Sequence, residues 1–139
     1  MTDYSPYGAA LLRISLGVLY IAHSAYLKLF VFTVPGTVAF FESLGLPALS
    51  AYAVIAAEII GGVLLILGIR VRETALILGV VALGATWAHL PAGWLFTNEG
   101  GGWEYPLFLA VVTFAQALLG PGTLRVTLQN RRPLLITAH

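Results

Sequence analysis

The chain is 139 residues long, with 59% hydrophobic residues, 9% charged residues, a formal net charge of +1 and no cysteine. Soluble domains carry about a quarter charged residues, so too few charges are present here to build a water-soluble surface. The near-neutral balance speaks against nucleic acid as a partner and against a polybasic lipid-binding segment, and a chain without cysteine cannot supply disulfides, thiolate metal sites or Fe–S ligands.

A bilayer core about 30 Å thick takes roughly 20 apolar residues per helix. Four such stretches, at about 8–27, 48–69, 74–94 and 105–119, fill most of the sequence. The prediction is an all-α integral membrane four-helix bundle over residues 1–122, in contact with the lipid bilayer, followed by a basic tail at 123–139. The first stretch lacks a basic leading segment and a clear small-residue cleavage site, so it reads as a retained helix and not a signal peptide.

In the first span, helical stepping puts Arg13, Gly17, Tyr20, Ser24 and Lys28 on one face with His23 at its margin, while Ile14, Val18, Ile21 and Leu29 lie opposite. The polar stripe should face the bundle interior, and Arg13 is expected to snorkel towards the near end. In the connection that follows, Pro35 and Gly36 break the helix, Thr37 is the expected N-cap of a short interfacial helix carrying Phe40, Phe41 and Leu44, and Gly45 with Pro47 closes it. Glu58 stands near the middle of the second span. Gly61 and Gly62, on roughly the same face, should let a neighbouring helix come close and place the carboxyl against protein.

The third span carries His89 on a face with Leu78, Ala82, Ala85 and Thr86, with Trp87 turned to lipid and Pro91 ending the helix. The loop 97–104 joins three glycines to Trp103 and Glu104, and Pro106 falls in the first turn of the last helix, whose positive end suits the Glu104 carboxylate. Tyr4, Tyr7, Trp94, Trp103 and Tyr105 sit near span ends, as interfacial aromatic belts require. Arg70 and Arg72 lie between the second and third spans and Arg125, Arg131 and Arg132 follow the fourth, so the positive-inside rule puts both termini in the cytoplasm.

Ionisable groups inside a span are costly and point to function. His23 and His89 fall at similar depth, and with Lys28, Glu58 and Glu104 they form a convergent set from all four helices near the outer face, with Glu58 and His89 the candidates for chemistry. Paired imidazoles also suit bis-histidine haem, or a His/Glu metal site. Only two histidines are available for either, so no intrinsic cofactor and no metal are expected, and a polar pocket for a quinone or similar small amphipathic ligand suits the residues better.

The order of motifs resembles that of the DoxX family of small four-helix membrane proteins. It runs Leu12-Arg13-x-x-Leu16-Gly17, His23 through Lys28-Leu29-Phe30, Gly36-Thr37-x-x-Phe40-Phe41-x-x-Leu44-Gly45-Leu46-Pro47, Glu58-x-x-Gly61-Gly62, Leu67-Gly68, His89-x-Pro91-x-Gly93-Trp94 and Gly100-Gly101-Gly102-Trp103-Glu104-Tyr105-Pro106. Three positions depart from the common pattern: Ser24 stands where glycine usually follows the histidine, Lys28 lies one residue further from His23, and Ala92 replaces a frequent asparagine. The resemblance implies a bacterial or archaeal cytoplasmic-membrane protein tied to redox chemistry. Members include subunits of quinol oxidase and thiosulfate:quinone oxidoreductase assemblies, and others associate with soluble proteins of oxidative-stress defence. The expected function is thus a membrane subunit of a redox assembly that binds quinone through His23, Lys28, Glu58, His89 and Glu104. The alternatives are a scaffold anchoring soluble redox partners through Arg125, Arg131 and Arg132, and a small-solute carrier, for which four spans without an inverted repeat would require a homo-oligomer.

Overall fold

A computed structural model describes residues 3–126. Helix α1 (Ser5–Ile21) runs on into a π-helical segment, Ala22–Val31; α2 (Val34–Ser43) is short; α3 (Ala48–Leu67) and α4 (Val71–His89) are long, and α4 ends in a 3₁₀ turn, Leu90–Ala92; α5 (Glu104–Leu119) closes the bundle. No strand occurs among the described residues. Three helical stretches, Ser5–Val31, Ala48–Leu67 and Val71–Ala92, are long and apolar enough to cross a membrane. The fourth, with 16 residues, spans about 24 Å at 1.5 Å per residue, somewhat less than a bilayer core.

The helices pack as two close pairs, α1 with α3 and α4 with α5, joined through α3 and α4. Apolar side chains cover the outside, as lipid contact requires: Val18, Leu76, Val80, Trp87, Phe108 and Leu118 are exposed. The inside is built from small and polar residues alongside Leu16, Leu65 and Leu78. Between lipid-facing helices there is no hydrophobic gain, so association rests on close packing and hydrogen bonds.

Close packing is achieved at glycine. A Cβ on Gly62 of α3 would lie 2.6 Å from Ile21 Cγ1 and 2.8 Å from the Gly17 carbonyl of α1, and one on Gly61 would lie 2.9 Å from Leu78 of α4. Gly79 of α4 lies equally close to Phe114 of α5. Gly62→Ala should therefore destabilise the bundle by roughly 1–3 kcal/mol, the usual cost of overpacking. Gly84→Ala, where nothing lies within 4 Å, should be neutral or better; thermal unfolding of the two variants in detergent compares them directly.

Hydrogen bonding centres on two arginines and one tyrosine. Arg13 is fully buried, contrary to the expectation that it snorkels: one guanidinium nitrogen donates to the Leu65 and Ile66 carbonyls at 2.6 and 2.9 Å, the other to Thr123 and Leu124 at 3.1 and 2.9 Å. Carbonyls at a helix end lack intrahelical partners and carry partial negative charge, and this is what holds the cation inside. Arg72 does the same for α5, donating to Ala117 and Leu118 at 3.0 Å. Deeper in the bundle the Tyr20 hydroxyl bonds Thr113 Oγ1 at 2.9 Å, and Thr113 donates to the Leu109 carbonyl.

The start of the tail is also tied down. Thr123 N–H donates to Pro6 and Val126 N–H to Leu67, so residues 123–126 dock on the end of the bundle that holds Arg13. Arg131 and Arg132, on which the scaffold reading leaned, lie outside the described residues.

The α2 boundaries differ from expectation. Thr33, not Thr37, is the N-cap, accepting from Gly36 N–H, and the helix starts before Pro35 because a first-turn residue has no intrahelical use for its N–H. Thr33 adopts φ 64°, ψ 162°, a region left almost entirely to glycine that costs a β-branched residue about 1–3 kcal/mol. Thr37 lies inside the helix, where its hydroxyl bonds the Lys28 and Thr33 carbonyls at 3.0 and 2.9 Å. At the far end, Gly45 at φ 79° and the bonds Gly45 N–H to Glu42 and Leu46 N–H to Phe41 complete a Schellman cap.

Candidate functional site

The centre of the candidate site is an ion pair between Lys28 and Glu58, joined by the Ser24 hydroxyl, which donates to the same carboxylate oxygen, Oε2. Glu58 is buried and Ser24 fully so, whereas the Lys28 side chain keeps 20% of its surface exposed. Oε1 of Glu58 has no hydrogen-bond partner among the described residues, yet it is not sealed from its surroundings. The cation compensates the buried charge, and one oxygen remains open.

The π-helical segment positions the two donors. Its wider turn, closed by i→i+5 bonds, lets residues four and five apart flank one another along the axis. Ser24 and Lys28 thereby reach the same oxygen of α3, and Lys28 returns to the His23 side of the helix. Thr37 of α2 then holds the Lys28 carbonyl.

The two histidines stand at the same end of the bundle but on different neighbours. His23 Nδ1 bonds the Leu19 carbonyl at 3.0 Å, and its ring stacks on Tyr105 of α5 at 5.8 Å between centroids. His89 Nδ1 bonds the Ala85 carbonyl at 2.8 Å, and its ring lies 6.2 Å from that of Phe40 of α2. A carbonyl only accepts, so in each ring Nδ1 carries a proton and the neutral form leaves a lone pair on Nε2. A Cβ on Gly101 would sit 3.7 Å from His89 Nε2, which gives the 97–104 loop glycine at the point where it passes this ring.

Glu104 takes no part in the ion-pair cluster. Its Oε1 accepts from Phe96 N–H at 3.2 Å and so braces the loop that it ends. The neck of that loop is closed by Trp103 N–H to Gly93, Glu104 N–H to Trp94 and an edge-on Trp94–Trp103 contact at 4.6 Å. Of the five residues singled out in the sequence, Lys28 and Glu58 touch, His23 and His89 border the same end, and Glu104 is engaged in its own loop. Among the described residues no three His, Asp or Glu side chains gather as metal ligands would.

Sequence reasoning missed the role of Ser24 and Thr37. Ser24 had a usable signal, since it shares the polar stripe with Lys28 four residues on. Thr37 had none, because its bond runs to a backbone carbonyl whose availability depends on the π winding.

These features define a small all-helical membrane protein whose interior is polar at one end and cross-braced by arginine at the other. The chain belongs to the DoxX family: the family model, described as DoxX, matches residues 8–91 and thus takes in α1 to α4 with Lys28, Glu58 and His89. It is 37% identical over 78 residues to a Bacillus subtilis (strain 168) protein named "Putative oxidoreductase CatD", and the match covers 56% of this chain and 56% of that one. The chain therefore aligns with little more than half of the relative's length. No solved structure matches.

Proposed function

We propose that this protein is the membrane subunit of a redox assembly and that it binds a quinone-type ligand, a small amphipathic ring with polar oxygens, at the end of the bundle bearing Lys28, Glu58, His23 and His89. The positive-inside rule makes this the outer end, with both termini in the cytoplasm of a bacterial or archaeal cell. The observation that carries the reading is the half-used carboxylate of Glu58. Its second oxygen is accessible and receives no donor from the described residues, so it is free to accept a hydrogen bond from a ligand. The aromatic rings of Phe40 and Tyr105 beside the imidazoles add the apolar walls that ligand sites need.

Electron transfer requires a redox partner, because the side chains present carry protons and hydrogen bonds only. The test is equilibrium binding of a short-chain benzoquinone couple, both redox forms, to protein in nanodiscs. Saturable binding that weakens about tenfold or more in Glu58→Gln and in His89→Ala is expected, a loss of about 1.4 kcal/mol or more in each case. Unsaturable partitioning, or equal affinity in all three proteins, refutes the proposal.

A further inference from the structure

We infer that Tyr105 is a binding residue of this site, its hydroxyl donating a hydrogen bond to a ring oxygen of the ligand while His23 holds its ring in place. The inference rests on the reading above and deepens it with a contact from α5, which lies outside the residues 8–91 that the family model matches. The six tyrosines of the chain divide by their surroundings. Tyr4, Tyr7, Tyr26 and Tyr52 are all more than half exposed, their rings on the outer surface as those of interfacial aromatic residues are. Tyr20 is buried and its hydroxyl is bonded to Thr113. Tyr105 fits neither group: it is 39% exposed, its ring stacks on His23 with 19° between the planes, and its hydroxyl bonds no described residue.

Position and chemistry both point to the ligand as the partner of that hydroxyl. The first turn of α5 is fixed by the neck of the preceding loop, through Trp103 N–H to Gly93, Glu104 N–H to Trp94 and Phe96 N–H to the Glu104 carboxylate, and Pro106 beside Tyr105 is buried. A tyrosine turns about only two side-chain torsions, and a ring already held against a neighbour loses little freedom when its hydroxyl takes a partner. Oε1 of Glu58 and Nε2 of each neutral histidine, the open atoms contributed by α3, the π-helical segment and α4, are acceptors. Tyr105 adds a neutral donor from α5. A ring oxygen carries lone pairs whether it is a carbonyl or a hydroxyl, so this bond forms with both redox states of the ligand.

The experiment measures binding of a short-chain benzoquinone and, anaerobically, of its quinol to the full-length protein in nanodiscs, comparing the unmodified protein with Tyr105→Phe and Tyr52→Phe. Tyr105→Phe keeps the ring on His23 and removes only the hydroxyl. It should weaken binding of both forms about fivefold, the worth of one neutral hydrogen bond, with thermal stability and the His23 imidazole nitrogen resonances of the ligand-free protein unchanged. Tyr52→Phe removes a hydroxyl from an exposed ring and should bind as the unmodified protein does. Tyrosine isotopically labelled at Cζ gives a second readout: the Tyr105 resonance, identified by its loss in Tyr105→Phe, should move when the unmodified protein is saturated with either form. Unchanged affinity in Tyr105→Phe, an equal loss in Tyr52→Phe, a loss accompanied by lower stability or altered His23 resonances, or a Cζ resonance that stays in place overturns this inference while leaving the binding proposal standing. Saturable binding of neither form to the unmodified protein overturns both.

Discussion

Arg13→Met should cost the bundle about 3 kcal/mol or more of stability, the largest effect expected of any single replacement at the end of the bundle that holds it. The guanidinium serves four carbonyls on two segments, and hydrogen bonds from a charged donor are each worth about 1.5–3 kcal/mol. Some of that is recovered when water reaches the Thr123 and Leu124 carbonyls at the rim; the Leu65 and Ile66 carbonyls sit at the end of α3, where recovery is poorer. Arg13→Lys should recover less than half, because a single ammonium cannot span two pairs of acceptors as the planar fork does. Denaturant unfolding in mixed micelles measures the loss. Hydrogen exchange adds an independent readout: the Val126 amide, bonded to Leu67, should lose protection when the arginine that binds its neighbours is gone. A variant as stable as the parent, with that amide still protected, would show that the four bonds are incidental.

Lys28→Met should be the most damaging change at the other end. It leaves the Glu58 carboxylate buried without its cation, and breaking a buried pair from one side costs about 3–5 kcal/mol. The exposed fifth of Lys28 brings the expectation to about 2 kcal/mol. The double variant Lys28→Met with Glu58→Met removes both charges and should regain most of that loss, since apolar replacements of a buried pair are often neutral. A double-mutant cycle therefore predicts a clearly favourable coupling between the two positions, while ligand binding should be abolished in the single and double variants alike. Additive effects would mean that the lysine and the carboxylate do not sense each other in the membrane.

Both predictions concern polar groups at helix ends or between helices, and the two were unequally visible in the sequence. Glu58 and Lys28 stood out because an ionisable residue in an apolar run is conspicuous, and helical stepping already put Lys28 on the inward stripe. Arg13 stood out equally, yet its distance from the end of the span suggested snorkelling, because stepping along one helix cannot reveal carbonyls contributed by another. Glu104 fitted the convergent set by depth alone; the loop it braces is a matter of how residues 93–104 fold back on themselves. The glycine pairs were readable as places of close approach, but not that adjacent Gly61 and Gly62 serve two different neighbours.

Composition, the length of the apolar runs and the order of short motifs determined that this chain is an all-helical membrane protein of the DoxX family. These properties are local, and each follows from the cost of exposing backbone or charge to lipid. Only the tertiary structure decided that the Glu58 carboxylate shares one oxygen between Ser24 and Lys28 and leaves the other open, that the stretch carrying His23 and Lys28 winds as a π-helix, and that arginines from two helices hold the ends of two others. Those outcomes depend on which side chains from distant parts of the chain come within hydrogen-bonding range, about 3 Å, and no periodicity along a single helix encodes a distance between two.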